Sequence, residues 1–184
     1  MPQLPKVIIA NIGNLGVPQT YPHILEQAEV SVEPTQFFNS MYDKYPDGNI
    51  YLFLPKEFEC AHEYTVEKMA NKIKDSKHFA GVYSDMYMCM PNTPLDKRLT
   101  YLPAYDKSLL QTDSVINTPI MFGNTCRPIF HNQIKHLFFY QTLVTTGHRF
   151  VFCHIAEPLF NVRYVTQPSQ QELQTDIQII RSLK

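Results

Sequence analysis

Two glutamates that directly follow an apolar run are the residues of this chain best placed to do chemistry. Glu57 and Glu59 come after residues 50–54, a short continuous apolar run that predicts a strand buried on both faces. In open α/β sheets, ligands bind beyond the carboxyl ends of such strands. Two carboxylates there suit a hard divalent cation, Mg²⁺ or Mn²⁺, which would bridge to a substrate diphosphate. The alternative is that both glutamates begin the next helix and favour its dipole.

One further carboxylate and several histidines are the other candidates for a reactive site. Asp85 lies within the apolar and aromatic stretch at residues 82–87, where a carboxylate must be paired, lie near the strand end or face a cleft. A structural role and a functional role therefore both remain open for Asp85. His131 and His136 lie at the start of a predicted helix, and a histidine beside a cleft can act as a general base, although such residues are often structural.

Common nucleotide-binding and hydrolase motifs are absent from the sequence. It contains no G-x-x-x-x-G-K-[ST] loop, no G-x-G-x-x-G fingerprint, no G-x-S-x-G turn and no H-E-x-x-H pair. Gly13 and Gly16 offer a weak candidate for a phosphate loop, which an unrelated nucleotide-handling α/β enzyme would need. The cysteines are too far apart for a zinc or redox motif, so we expect reduced core thiols at Cys60, Cys89, Cys126 and Cys153.

Length and composition limit the class of protein. The chain has 184 residues, of which 44% are hydrophobic, and this suits one domain, 1–184, with a sizeable core. Its 16 Lys and Arg residues balance 17 Asp and Glu residues, so the basic excess typical of a nucleic-acid binder is missing. The N-terminal residues lack the features of a signal peptide, and no apolar run approaches the roughly 20 residues that span a bilayer. We therefore expect a cytoplasmic protein with no membrane span.

Strand and helix patterns alternate along the chain, which predicts an α/β fold with a mostly parallel open sheet flanked by helices. Periodicity near 3.6 residues predicts helices at residues 61–76, 128–146 and 169–183, with weaker patterns at 21–28 and 36–45. Apolar runs predict strands at residues 6–12, 50–54, 80–88, 118–122, 149–155 and 160–165. Prolines and polar clusters predict a long irregular loop at residues 91–117, of the kind that often closes over a binding site.

The order of these segments resembles the inverting family-two glycosyltransferases, which have the GT-A (nucleotide-diphospho-sugar transferase) fold. The resemblance rests on residues 49–54 and 81–86 in the middle of the chain and on residues 146–150 and 157–163 near its end. It implies transfer of a sugar from a nucleotide-diphosphate donor to a glycan or another hydroxyl acceptor, with a bound divalent metal ion. It also implies that Glu57, with Asp85, holds the metal and the diphosphate; Glu59, two positions after Glu57, is the second candidate metal ligand. Residues 14–17 resemble the family's N-x-G segment, so Asn14 joins Asp85 and Arg163 as a candidate for substrate binding.

The chain departs from the family pattern at its acidic positions. Pro55 and Glu57 occupy the two aspartate positions of the family's D-x-D motif, so only Glu57 keeps a carboxylate there. Lys135 and His136 stand where the family has an acidic pair that includes the catalytic base, which makes His136 the candidate base. These substitutions favour a second hypothesis: a sugar- or nucleotide-binding or protein-interaction module on the same fold, without turnover. A chain with so little charge could also form a homo-oligomer through an exposed apolar patch.

Overall fold

Helices separate groups of one to three strands along the chain, and every strand among the described residues joins one sheet. The computed structural model describes residues 6–11, 24–29, 34–45, 49–74, 78–90, 93–108, 116–123, 126–127, 129, 131, 133–163 and 168–183. The strands are β1 (Lys6–Asn11), β2 (Ile24–Glu29), β3 (Asn49–Leu54), β4 (Phe58–Cys60), β5 (Phe79–Met90), β6 (Thr93–Thr100), β7 (Met121–Phe122) and β8 (Val151–Arg163). The helices are α1 (Pro34–Lys44), α2 (Thr65–Lys74), α3 (Phe138–Gly147) and α4 (Gln170–Ser182).

The sheet is mixed, and the prediction of a mostly parallel sheet was wrong. The strand order is β2-β1-β3-β7-β5-β8-β4, and β6 pairs with β5 beside this path. β1 runs parallel to β2 and β3, and β5 runs parallel to β8. β4, β6 and β7 run antiparallel to their neighbours. For β6 the cause is the short connection after β5, because strands joined by two residues can only pair as an antiparallel hairpin.

Three elements were predicted correctly from the pattern of apolar residues. β3 is buried along its whole length, as its continuous apolar run requires. α2 buries Met69 and Ile73 from the predicted stripe, whereas Tyr64 lies before the helix and is exposed. α4 begins after Ser169, whose hydroxyl accepts a hydrogen bond from the Glu172 backbone while the Glu172 carboxylate accepts one from the Ser169 backbone.

Two segments contain a strand where the sequence suggested something else. Residues 93–100 form β6, although the sequence predicts that they belong to an irregular loop. Lys97 and Arg98 are exposed on this strand, so its sequence lacks the apolar run by which the other strands were predicted. Residues 24–29 form β2, which lies within and beyond the weak helical pattern at 21–28.

The C-terminal half differs from the prediction at the start of α3 and along β8. α3 begins at Phe138, ten residues later than the helix expected from residue 128. Ile134 and Leu137 are buried as expected, but they lie in turns before the helix, where a carboxylate from α4 binds the backbone. β8 is one continuous strand where the sequence predicts two, and shifts in its register with β5 around Asp85 absorb the extra residues.

The four cysteines are all free thiols, and Cys126 is the one that is fully buried. Burial raises the pKa of the Cys126 thiol to about 12, so the thiol stays protonated at pH 8. We expect Cys126 to resist a disulfide reagent such as dithiobis-nitrobenzoate at pH 8 until the protein is unfolded in guanidinium chloride. Peptide mapping after timed labelling checks this, and rapid labelling of Cys126 in the folded protein would contradict the buried position.

Candidate functional site

The turn between β3 and β4 places the two candidate glutamates at the carboxyl end of a buried strand. Pro55 begins this turn, which is closed by a 2.9 Å hydrogen bond from the Phe58 amide to the Pro55 carbonyl. Glu57 lies in the turn, and its carbonyl accepts a 2.8 Å hydrogen bond from the Arg163 amide. Glu59 lies in β4, and the next helix begins only at Thr65. The alternative that both glutamates start a helix is therefore wrong.

Glu59 and Arg163, two of the residues predicted to bind ligand, contact each other at this edge. β4 pairs antiparallel with the end of β8, which sets Glu59 opposite Asn161. The Asn161 amide donates to Glu59 Oε1 at 3.1 Å, and Arg163 Nη2 lies 3.4 Å from Glu59 Oε2. The Arg163 side chain is 61% exposed, so this ion pair is a solvated contact that contributes little stability and can rearrange around a ligand.

Asn161 is a member of this cluster that sequence reasoning missed. It is only 4% exposed, and its carbonyl oxygen Oδ1 is buried without a hydrogen-bond partner. An unsatisfied buried acceptor costs about 1–3 kcal/mol, so an oxygen left in that state beside Glu59 is suited to a ligand. Nothing in the sequence around Asn161 indicates this role, because it depends on the register between β4 and β8.

This edge carries oxygen atoms of the types that a hard divalent cation prefers. Glu57 and Glu59 supply carboxylates, and the unpartnered Oδ1 of Asn161 supplies a carbonyl oxygen, which are the donor types that Mg²⁺ and Mn²⁺ prefer. Within the part of the chain that the structure describes, no three side chains of the His, Cys, Asp and Glu types form a ready metal-binding group.

Asp85 lies on β5, the strand next to β8, and its carboxylate already has hydrogen-bond partners within the protein. It is 1% exposed, and its Oδ1 accepts hydrogen bonds from the Leu102 amide and from His154 Nε2, each at 2.8 Å. The His154 ring stacks on Tyr83 with 5.1 Å between centroids. Asp85 lies two residues before Tyr87, which pairs with Asn161. It is therefore close to Glu59 along the sheet, but its Oδ1 binds Leu102 and His154 instead.

The segment after β6 crosses the face of the sheet that contains Asp85. The Tyr83 hydroxyl donates to the Pro103 carbonyl at 2.7 Å, and the Tyr105 hydroxyl donates to the Gly147 carbonyl at 3.2 Å. Burial raises the pKa of the Tyr83 hydroxyl far above its ordinary value, so it remains a donor at any ordinary pH. Residues 101–105, part of the loop expected to cover a site, are therefore held against the sheet beside Asp85 by these hydrogen bonds and by the bond from the Leu102 amide to Asp85.

His136, the candidate base, lies just before α3 with its side chain 33% exposed. The start of α3 packs against the end of β3, because Phe53 contacts Phe138 and Phe139 at centroid distances of 4.9 and 6.0 Å. Phe58, at the start of β4, also contacts Phe139, at 5.8 Å. These aromatic contacts place the segment that contains His136 beside the strand end that leads into Glu57. Asn14, the remaining candidate for substrate binding, lies outside the described residues.

No protein-family model matches the chain, and no curated protein matches it. Within the described residues, no helix has both the length and the apolar character needed to cross a membrane. The candidate functional residues of the described chain are thus Glu57, Glu59, Asn161 and Arg163 at the edge where β4 pairs with β8, and His136 in the turn before α3.

Proposed function

We propose that this chain is a glycosyltransferase-like protein, of GT-A-like fold, that binds a nucleotide-diphosphate sugar beyond the carboxyl end of β3 and transfers the sugar to a hydroxyl acceptor. One observation carries the proposal. Glu59 meets Arg163 where β4 pairs with the end of β8, Glu57 lies in the turn that joins β3 to β4, and Phe138, two residues after His136, packs on Phe53 near the end of β3. Ligands of open α/β sheets bind beyond the carboxyl ends of strands.

Different residues of this edge would bind different parts of a sugar nucleotide and its metal ion. Arg163 presents a planar guanidinium that suits the oxygens of a diphosphate. Glu57 and Glu59, with Oδ1 of Asn161, would hold Mg²⁺ or Mn²⁺. Such a cation neutralises charge on the diphosphate when it is bound. Glu59 would exchange its exposed contact with Arg163 for these ligands at little cost, because surface ion pairs are weak.

In the proposed transfer, His136 accepts the proton of the acceptor. The acceptor hydroxyl oxygen forms a bond to the anomeric carbon of the donor sugar while the bond from that carbon to the diphosphate oxygen breaks. The nucleoside diphosphate leaves with the electron pair of the broken bond, and the hydroxyl proton passes to a ring nitrogen of His136. A single displacement of this kind inverts the configuration at the anomeric carbon.

A binding module without turnover is the second candidate, and the state of Asp85 favours it. The resemblance gives Asp85 a role in substrate binding, yet its Oδ1 already accepts bonds from Leu102 and His154. A protein that keeps the nucleotide site but uses this carboxylate for its own structure would bind a sugar nucleotide without transferring the sugar.

Replacing Glu57 by Ala is expected to abolish Mn²⁺-dependent binding of the nucleotide, because it removes a carboxylate from the end of β3. Thermal unfolding with a panel of nucleoside diphosphates and their sugars, with and without Mn²⁺, measures this binding. A ligand at about 100 times its dissociation constant stabilises the native state by roughly 2.7 kcal/mol, which gives a clear shift. Glu67→Ala is the matched control, since Glu67 is an exposed carboxylate on α2, and it should leave the shift unchanged.

The outcomes of this experiment separate the two candidate functions. A Mn²⁺-dependent shift with one sugar nucleotide, followed by release of nucleoside diphosphate when acceptors are added, supports transfer. A shift without release in any acceptor mixture supports the binding module. If no nucleotide shifts the unfolding of a well-folded sample, or if Glu57→Ala binds as the natural chain does, the proposed site is wrong.

A further inference from the structure

A buried carboxylate on the C-terminal helix binds the backbone of the segment that contains His136. Asp176 on α4 is 3% exposed. Its Oδ2 accepts hydrogen bonds from the amides of His136 at 2.8 Å and Leu137 at 3.1 Å, and its Oδ1 accepts one from the amide of Lys135 at 3.4 Å. Three successive amides thus point at one carboxylate from a different element of the fold.

The amides that this carboxylate binds belong to the turn just before α3. The helix begins at Phe138, so the amides of Lys135, His136 and Leu137 lie outside it and need a partner from elsewhere. Leu137, at the N-cap position, has no polar side chain that could hold this end of the helix. Asp176, about forty positions away in sequence, therefore holds the turn that leads into α3, and its carboxylate lies at the end of the helix that the helix dipole favours for a negative charge.

His136 has two further contacts besides the one at its amide. Its carbonyl accepts a 2.9 Å hydrogen bond from the side-chain amide of Asn117. Its ring nitrogen Nε2 lies 3.9 Å from Oε1 of Glu172, one turn before Asp176 on α4. Hydrogen bonds from Ser169 lower the pKa of Glu172, so this carboxylate is ionised where it faces the ring.

Contacts on both sides of a residue restrict its backbone torsions and therefore the direction of its side chain. The amide of His136 is held by Asp176 and its carbonyl by Asn117, while a third of its ring remains exposed. An exposed ring on a fixed backbone is the arrangement that a base needs, because catalysis depends on holding the reacting atoms within a fraction of an ångström.

We propose that Asp176 is a positioning residue that fixes His136 in its reactive orientation, so that α4 belongs to the functional site. The proposal rests on the function given above for His136. It assigns to α4 a role that the apolar stripe of this helix does not indicate.

The test compares four variants at temperatures well below their unfolding midpoints. Asp176→Ala removes the acceptors, and Asp176→Asn keeps an oxygen that can take the place of Oδ2. Ile180→Ala is the matched control, because Ile180 is buried on the same helix and its loss weakens packing without touching His136. Asn117→Ala releases the His136 carbonyl from a different element and serves also if Asp176→Ala fails to fold.

Two measurements are made on each variant: the ring-proton signals of His136 by nuclear magnetic resonance, and kcat and KM for sugar transfer. Asp176→Ala and Asn117→Ala are expected to shift or broaden the His136 signals. Both should lower kcat about tenfold or more, which is about 1.4 kcal/mol, with the donor KM little changed. Asp176→Asn and Ile180→Ala should remain close to the natural chain in both measurements.

The two readouts separate failure of this inference from failure of the proposed function. If the natural chain transfers no sugar, the proposed function fails, and the ring signals alone still decide whether Asp176 positions His136. Unchanged ring signals in folded Asp176→Ala overturn the positioning role. Displaced signals with an unchanged kcat show that transfer does not use the orientation, which also overturns the proposal.

Discussion

Replacing Asp85 by Ala is expected to lower the free energy of unfolding by about 3 kcal/mol, because it removes a buried carboxylate and leaves two partly buried groups without their acceptor. The Leu102 amide loses its acceptor, and His154, whose side chain is 11% exposed, loses the carboxylate 2.8 Å away. Residues 101–105 would then be held to the sheet only by the hydrogen bonds of Tyr83 and Tyr105, and their packing should loosen. Equilibrium unfolding in urea measures the change.

Asp106→Ala provides the control for this prediction. Asp106 lies in the same irregular segment but is exposed, and its carboxylate accepts a local 2.8 Å hydrogen bond from the Ser108 amide. That bond lowers the pKa of Asp106, yet an exposed contact contributes little, and we expect a change within about 0.5 kcal/mol. If Asp85→Ala is as mild as Asp106→Ala, the contacts of Asp85 with Leu102 and His154 do not stabilise the fold.

The sequence predicts the elements whose hydrophobic pattern alone determines their structure. β3 is buried on both faces, and a strand of that kind has a continuous apolar run that is visible without any partner. α2 and α4 each bury one stripe, so the 3.6-residue period reveals them. Glu57 and Glu59 could be placed at the end of β3 for the same reason, since the position of a strand end follows from its last apolar residue.

The elements that were missed depend on contacts between distant parts of the chain. The apolar residues Ile134 and Leu137 continue the pattern of α3, but Asp176 binds the amides before Phe138 and keeps them outside the helix. β6 pairs with β5 beside the main strand order, and its consecutive residues Lys97 and Arg98, which point to opposite faces, are both exposed. Local periodicity contains no information about either effect.

The residues of the candidate site also fall into those that the sequence predicts and those that depend on contacts between distant parts of the chain. Arg163 and Glu59 were proposed separately, and only the antiparallel register of β4 and β8 brings them together. Asn161 and Asp176 gave no signal, because an asparagine in a strand and an aspartate on a polar helix are ordinary residues until their partners are known. Asp85 was correctly recognised as unusual, and its structural partners, His154 and the amide of Leu102, lie 69 and 17 positions away.

Replacing His136 by Gln is expected to lower kcat for sugar transfer by about 10²-fold or more, because a positioned general base contributes 10²- to 10⁴-fold. Gln keeps a polar side chain of similar reach but cannot accept the proton of the acceptor hydroxyl. Folding should change little, since the ring is 33% exposed and its 3.9 Å contact with Glu172 is a surface pair. Initial rates of nucleoside diphosphate release over a range of donor concentrations give kcat and KM separately.

His148→Gln is the matched control for this prediction, because His148 is an exposed histidine at the opposite end of the same helix α3. Transfer of a proton occurs in the transition state, so the loss in His136→Gln should appear in kcat while the donor still binds and shifts thermal unfolding as before. A His136→Gln protein that transfers sugar at the rate of His148→Gln would exclude His136 as the base. A variant that loses donor binding together with kcat would instead assign the His136 ring to the binding of the nucleotide.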